Sequence, residues 1–143
     1  MTDIAFHTGI ADPVDSACRL LRKAYRSGAR VAVHAQAPLL DRLDQALWTF
    51  DPLEFVPHVL LPRDQADEAR LARTPVLLVR PGATAPACEV AVSIGGAPVP
   101  DVTAYTRVIA IVGADPAQRE AGQELWREYK RAGHALTHVA RPD

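Results

Sequence analysis

The sequence is poor in cysteine and has no excess of charge of either sign. Its 143 residues include two cysteines, Cys18 and Cys88, in no Cys-x-x-Cys pair. This argues against zinc binding and indicates reduced thiols in a cytoplasmic protein. The formal net charge is −1, so the molecule as a whole has no electrostatic attraction to DNA or to a membrane. A role with nucleic acid therefore requires a local basic patch or an indirect contact.

Long apolar runs and catalytic signatures are also missing. No apolar run approaches the ~20 residues that span a bilayer, and the acidic N-terminus is not that of a signal peptide. The sequence contains no GxxxxGK[ST], GxGxxG, GxSxG or HExxH motif. The pair Gly95-Gly96 predicts a tight turn rather than a phosphate-binding loop. These absences argue against membrane association and against the common nucleotide-binding and hydrolytic sites.

What the sequence does contain is an alternation of apolar strands with amphipathic helices. Strands are predicted at residues 4–7, 30–35, 75–79, 89–94 and 107–112, with 135–139 as a candidate edge strand. Asp12-Pro13 and Asp115-Pro116 are typical helix starts, with aspartate as N-cap and proline in the first helical position; another helix starts at Pro38. Residues 49–74, with a charged stretch at 63–68, are predicted to be a long loop. The pattern predicts one α/β domain over residues 1–143, with a mostly parallel sheet of about five strands and helices on both faces.

Two histidines allow an enzymatic hypothesis. His7 and His34 each end a predicted strand, where open α/β sheets place their ligands. If the two strands are neighbours, the imidazoles face one crevice, with Asp3 and Asp12 as accompanying carboxylates. The chain would then be a small hydrolase or nucleotide-binding enzyme. The alternative is two half-buried histidines that are hydrogen-bonded to the backbone.

The last helix carries a mixed apolar and cationic surface. At 100° per residue, its predicted core side carries Ala117, Ala121, Leu125, Tyr129 and Ala132. The neighbouring flank carries Arg119, Gln123, Trp126, Arg127 and Lys130, and the glutamates lie further round. This flank fits an extended acidic peptide that ends in an aromatic residue. The alternative is a solvated helix whose charges form weak pairs, such as Glu124 with Arg127.

A second candidate surface lies where a predicted helix ends. Trp48 closes the helix, and Phe55 follows in the loop. An aromatic surface loop without catalytic groups predicts a protein-binding site.

The chain resembles the chi subunit of bacterial DNA polymerase III over nearly its full length. The resemblance is sharpest at residues 42–48 (RLDQALW) and 55–58 (FVPH), and extends to 26–31 and 126–133. It implies a three-layer Rossmann-like domain in the cytoplasm, without nucleotide binding, cofactor or catalysis. It also implies a psi subunit that tethers the chain to the clamp loader. A second implied partner is the acidic C-terminal tail of single-stranded DNA-binding protein, which ends in proline and phenylalanine. DNA would be met only indirectly.

The same resemblance assigns residues to two faces. The face for psi carries Trp48, Phe55, Val56 and Pro57. The face for the tail carries Val112, Arg119, Gln123, Trp126, Arg127 and Lys130. Gln123 departs from the family pattern, because the best-known members have a basic residue there. Either the tail binds more weakly to this chain, or Lys130 or Arg127 supplies the missing charge.

Overall fold

A single parallel sheet with helices on both faces forms the structure, a computed structural model that describes residues 2–62 and 68–140. Its strands are β1 (Asp3–Ile10), β2 (Val31–His34), β3 (His58–Leu61), β4 (Val76–Val79), β5 (Val90–Ile94), β6 (Arg107–Gly113) and β7 (Leu136–Ala140). Its α-helices within the described part are α1 (Pro13–Arg26), α2 (Ala37–Thr49), α3 (Glu68–Arg73) and α4 (Pro116–Arg131), with a 3₁₀ turn at Val102–Ala104.

The strand order is β3-β4-β2-β5-β6-β1-β7, and every pair is parallel. In the inner strands of the sheet, alternate side chains pack on opposite faces. In β6, Ile109 and Ile111 pack beneath α1 and α2 on what we call the α1 face, whereas Val108 and Ala110 pack beneath α4 on the α4 face. The predicted α/β architecture is confirmed, with seven strands rather than about five.

The predicted long loop at residues 49–74 is wrong. It contains β3, which adds to the sheet edge beside β4, and the short helix α3. Only four residues form β3, and prolines flank it, so its periodicity is too short to outweigh the turn signals around it. Pairing with β4 decides its conformation. Residues 63–67 of the predicted charged stretch lie outside the described residues.

The predicted helix starts are confirmed in detail. The carboxylate of Asp12 accepts a hydrogen bond from the Asp15 N–H (3.1 Å), and that of Asp115 accepts one from the Gln118 N–H (2.9 Å). Proline occupies the first turn of α1, α2 and α4. The Gln118 side chain accepts a bond from the Gly113 N–H (2.7 Å). It therefore ties α4 to the end of β6, the strand that precedes it.

Candidate functional site

A cleft of about 600 Å³ runs along α4 on the α4 face. Its lining residues come from β1, from the end of β6, from α4 and from β7: Phe6, Thr8, Gly9, Val112, Ala114, Arg119, Gly122, Gln123, Trp126, Arg127 and His138. Five of the six residues predicted for the tail face are among them. The sixth, Lys130, lies outside the cleft, beyond Trp126.

The cleft exists because α4 lies very close to the sheet. A Cβ atom on Gly122 would lie 2.8 Å from both methyl carbons of Val112, and one on Gly96 would lie 2.6 Å from the Cβ of Ala121. Both distances are shorter than side-chain atoms allow, so the approach depends on the glycines. Gly96 belongs to the turn after β5, as predicted for the glycine pair. The absence of a side chain at Gly122 leaves the cleft floor open above Val112.

The buried side of α4 differs in part from the prediction. Leu125 and Tyr129 are buried as predicted, but Gly122 takes the position between them and the helix start. Ala117 and Ala132 are exposed, which is contrary to the prediction. The contact line between α4 and the sheet runs through Gly122 rather than through these alanines. Periodicity alone does not reveal this line, because alanine and glycine weigh little in an apolar pattern.

Aromatic contacts fix the indole of Trp126 at the cleft wall. Its ring meets Phe6 edge-on at a centroid distance of 5.1 Å and an interplanar angle of 76°, and it meets His138 at 6.1 Å. The Nε2 atom of His138 lies 2.6 Å from the hydroxyl oxygen of Thr8, which joins β7 to β1. Such edge-on packing stabilises one ring orientation. Trp126 is half-buried and presents its remaining surface to the cleft.

Sequence reasoning missed Phe6 and His138 as members of this site. Both come from strands, and only the β1–β7 pairing brings Phe6 and His138 opposite each other. The predicted edge strand at 135–139 contained the necessary signal. Placing that strand beside β1 would have put His138 next to the indole.

The cations of α4 are not equally available. Arg127 donates a hydrogen bond to Glu124 (2.7 Å), and the same carboxylate lies 4.0 Å from Arg131. The hydrogen bond from Arg127 and its charge hold the pKa of Glu124 below its usual value. Arg119 forms no ion pair with another residue in the described part of the chain. The expectation that the glutamates point away from this flank is wrong for Glu124, and the alternative Glu124–Arg127 pair is present.

A second surface is formed by Trp48 and Phe55. Their rings stack with a centroid distance of 5.0 Å and an interplanar angle of 28°. The side chains are 60% and 47% exposed, and Leu53, on the same loop, is 95% exposed. Both rings also contact the imidazole of His58, at 5.3 and 5.8 Å. We call Trp48 and Phe55 the aromatic platform.

A buried imidazole supports the aromatic platform from below. The His58 Nδ1 atom lies 2.8 Å from the carbonyl oxygen of Val56. Its Nε2 atom lies 3.1 Å from the Asp44 carboxylate, which is an ion-pair distance, although the contact lacks hydrogen-bond geometry. Val56 itself is 2% exposed and packs in the core of the α1 face. The side chain of Val56 therefore points away from the surface on which the psi contacts are expected, whereas Pro57 is half-buried.

The loop that carries Phe55 is held against α1. Asp51 accepts hydrogen bonds from the Leu53 N–H (2.9 Å) and from Arg22 (3.2 Å). The bond from the Leu53 N–H, followed by the contact with Arg22, lowers the pKa of Asp51 below its usual value. Arg26 donates to Glu54 across the same gap (2.7 Å). These contacts fix the position of the loop before any partner arrives.

The two histidines of the enzymatic hypothesis do not share a crevice. Strands β5 and β6 separate β1 from β2, which places them about 14 Å apart. His7 follows Ala5 on the α1 face. His34 lies on the other face, where it contacts the hydroxyl of Tyr105 at 3.3 Å. No group of three or more potential ligands for a metal ion occurs among the described residues. The hypothesis fails because it assumed neighbouring strands.

Acidification is expected to destabilise the protein through His34. Burial lowers the pKa of this imidazole below 6.5, so the unfolded chain binds the proton more readily than the folded chain. The stability from neutral His34 is present above pH ~6.5 and is lost as the pH falls through the lower folded-state pKa. Urea unfolding measures the decrease in unfolding free energy between pH ~7.5 and pH ~5.5, and this decrease should be smaller for His34→Gln than for the wild type. The exposed His138→Gln serves as the control, and equal losses in all three proteins would contradict the prediction.

Within the described part of the chain, no helix combines the length and apolarity that crossing a bilayer requires.

Comparison with known proteins relates this chain to one family over most of its length. Residues 1–137 match the family described as DNA polymerase III chi subunit, HolC. The DNA polymerase III subunit chi of Pseudomonas aeruginosa is 30% identical over 141 residues, covering 95% of this chain and 94% of that protein. The subunit chi of Escherichia coli is 27% identical over 121 residues, covering 83% of this chain and 79% of that protein.

Solved structures share the fold at low sequence identity. The C-terminal domain of the DEAD-box protein Dbp5 superposes with a TM-score of 0.66 at 13% identity, covering all of this chain (100%) and 92% of that one. This likeness concerns the arrangement of strands and helices alone. The family match over almost the whole chain is the more specific finding. The chain belongs to the family of DNA polymerase III chi subunits, which are non-catalytic components of the replicative holoenzyme.

Proposed function

We propose that the chain is a two-sided adaptor in DNA replication. The cleft along α4 binds the acidic C-terminal tail of single-stranded DNA-binding protein, and the aromatic platform binds the psi subunit of the clamp loader. The observation that carries the proposal is the placement of the two surfaces. The cleft lies on the α4 face, and the platform lies at the end of α2, which packs on the opposite face. Two proteins can therefore bind at once.

The cleft suits a peptide that ends in a phenylalanine. Its volume of about 600 Å³ lies within the range of ~300–1,000 Å³ that is common for ligand sites. The terminal ring would lie between Trp126 and the open floor at Gly122, which replaces water contacts with apolar ones. Arg119 and Arg127 line the same cleft and would bind the carboxylates of the tail.

Gln123 is neutral where the family pattern has a basic residue, so another cation has to contact the carboxylates of the tail there. Lys130 holds its ammonium group 6.0 Å from the centre of the Trp126 ring, in a small neighbouring hollow of about 440 Å³. Arg127 lines both the cleft and this hollow. We therefore assign the compensating charge in the cleft to Arg127, and assign to Lys130 the acidic residues further up the tail.

The experiment that tests the tail site is calorimetry with a synthetic acidic peptide that ends in proline and phenylalanine. The intact peptide should bind, and a peptide that lacks the final phenylalanine should bind at least about tenfold more weakly. Raising the salt from about 50 to 300 mM should weaken binding, because the cations are exposed and screened. Equal affinity of the two peptides would contradict the proposed place of the ring.

Replacing Glu124 by glutamine is expected to strengthen tail binding about two- to fivefold. In the free protein Arg127 donates a hydrogen bond to Glu124, so a carboxylate of the tail has to displace Glu124 to reach Arg127. An exposed ion pair of this kind stabilises by up to about 1 kcal/mol. The control is Glu120→Gln, which makes the same charge change on the same helix, outside the residues that line the cleft. Competitive fluorescence anisotropy measures both variants. The same gain in both would show a general charge effect and no role for the Glu124–Arg127 pair.

For psi, the proposal depends on the preformed aromatic platform. Exposed aromatic residues that are already held in place lose little side-chain freedom on binding, which favours them as central contacts. Contacts to α1 fix the platform loop, and His58 supports the rings. In this arrangement the chain meets DNA only through its protein partners, which is consistent with its formal net charge of −1.

A further inference from the structure

The α1 face of the sheet is wider than the helices that cover it. Seven strands with spacings of about 4.8 Å give a sheet about 29 Å wide, whereas a helix with its side chains covers about 10–12 Å. On this face α1 and α2 pack over β2, β4, β5 and β6. Strands β1 and β7 extend beyond α1. A groove of about 750 Å³ lies between α1 and these two strands. We call it the β1–β7 groove.

The β1–β7 groove has an apolar floor. Among its lining residues, β1 and β7 contribute Ala5, His7, Thr137 and Val139, whereas Ile109 and Ile111 of β6 lie deeper and are at most 3% exposed. Helix α1 forms the opposite wall, with Leu20 and Ala24. Val139 is 39% exposed, although it is apolar and lies in β7, which pairs with the partly buried strand β1. The floor and the wall together form one continuous groove.

Cations surround this apolar slot. Arg19 and Lys23 of α1 and Arg107 at the start of β6 line it, and none of its described lining residues is acidic. Arg19 is bound to Asp15 at 2.9 Å, so Lys23 and Arg107 supply most of the positive charge. An apolar slot with a cationic rim matches an apolar stripe flanked by carboxylates.

We propose that the β1–β7 groove is a third docking site, which binds an amphipathic helix of a partner protein whose apolar stripe is flanked by acidic residues. The stripe covers Val139 and Ala5, and the flanking carboxylates pair with Lys23 and Arg107. A second copy of the chain fits poorly, because α1, α2 and α4 each bury their apolar side in the chain's own core. The site is separate from the cleft, which lies on the α4 face, and from the aromatic platform, which lies beyond α2.

The test uses the full chain and a synthetic helical peptide of about 14 residues, or four turns. The peptide carries a leucine and alanine stripe flanked by glutamates, and a matched peptide carries lysines in their place. The glutamate peptide should shift the backbone amide signals of Ala5, Ala24 and Val139 in NMR spectra, and the lysine peptide should not. Shifts that map elsewhere, or equal binding of the two peptides, would overturn the proposal.

Variants of the groove complete the test. Val139→Glu and Lys23→Glu should each weaken binding of the glutamate peptide about tenfold or more. Arg42→Glu on α2, with the same charge change as Lys23→Glu, should not. If Val139→Glu does not fold, Val139→Ser gives the same information. Sedimentation that shows a wild-type dimer, dissociated by the Val139 variant, would make a second copy the occupant and overturn the proposal.

Discussion

Replacing Arg119 by glutamate is expected to weaken binding of the acidic tail peptide by about tenfold to a hundredfold. A hydrogen bond to a charged group is worth about 1.5–3 kcal/mol, and about 1.4 kcal/mol corresponds to a factor of ten in affinity. Arg119 lines the cleft and, unlike Arg127, has no carboxylate partner within the described residues. Its charge is therefore available to the tail without breaking an internal contact. The introduced carboxylate also repels the acidic peptide.

The control for Arg119→Glu is Arg42→Glu, which makes the same change in net charge on α2. Both side chains are exposed, so neither variant should change the thermal midpoint by more than a degree or two. Calorimetry with the same peptide at two salt concentrations separates a local contact from general attraction. A similar loss in both variants would mean that only the overall field of the protein matters. Unchanged affinity of Arg119→Glu would remove α4 from the site.

Most of the fold follows from local patterns in the sequence. Asp12 and Asp115 start their helices through a side-chain bond to a nearby N–H, which involves no residue distant in the chain. The apolar strands β4 and β6 are buried on both faces and were predicted from their continuous apolar runs. The short strand β3 was missed, since its conformation depends on pairing with β4. Strand order was also not predicted, and the shared histidine site failed for that reason.

In the candidate site too, the residues of a single helix could be predicted, whereas those brought together by packing could not. The flank of α4 could be predicted because helix geometry alone places Arg119 and Trp126 on adjacent positions of one surface. The contributions of Phe6, Gly122 and His138 could not, because they arise where α4 meets β1, β6 and β7. Val56 shows the opposite case. It follows an exposed phenylalanine in the chain, but its own side chain packs in the core of the α1 face.

Replacing Trp48 by alanine is expected to lower the affinity for the psi subunit by about 2–4 kcal/mol, which is about thirtyfold to a thousandfold. The indole is 60% exposed and stacks on Phe55, so its removal also leaves Phe55 without its neighbour. Phe55→Ala should give a similar but smaller loss. The effect on folding should be small, because more than half of the indole is already in water.

Two comparisons decide whether the aromatic platform acts through its geometry. Leu53 lies on the same loop and is 95% exposed, but its side chain has no ring to stack. If general apolarity attracts psi, Leu53→Ala should cost as much as Trp48→Ala; if the stacked pair is the anchor, it should cost much less. Arg119→Glu gives the second comparison, since it should retain psi and lose the tail peptide, whereas Trp48→Ala should do the reverse. Co-purification with tagged psi and calorimetry with the peptide, on the same preparations, measure both. A variant that loses both partners while circular dichroism shows an intact fold would mean that the two surfaces are coupled through the sheet, and the independent adaptor would then be wrong.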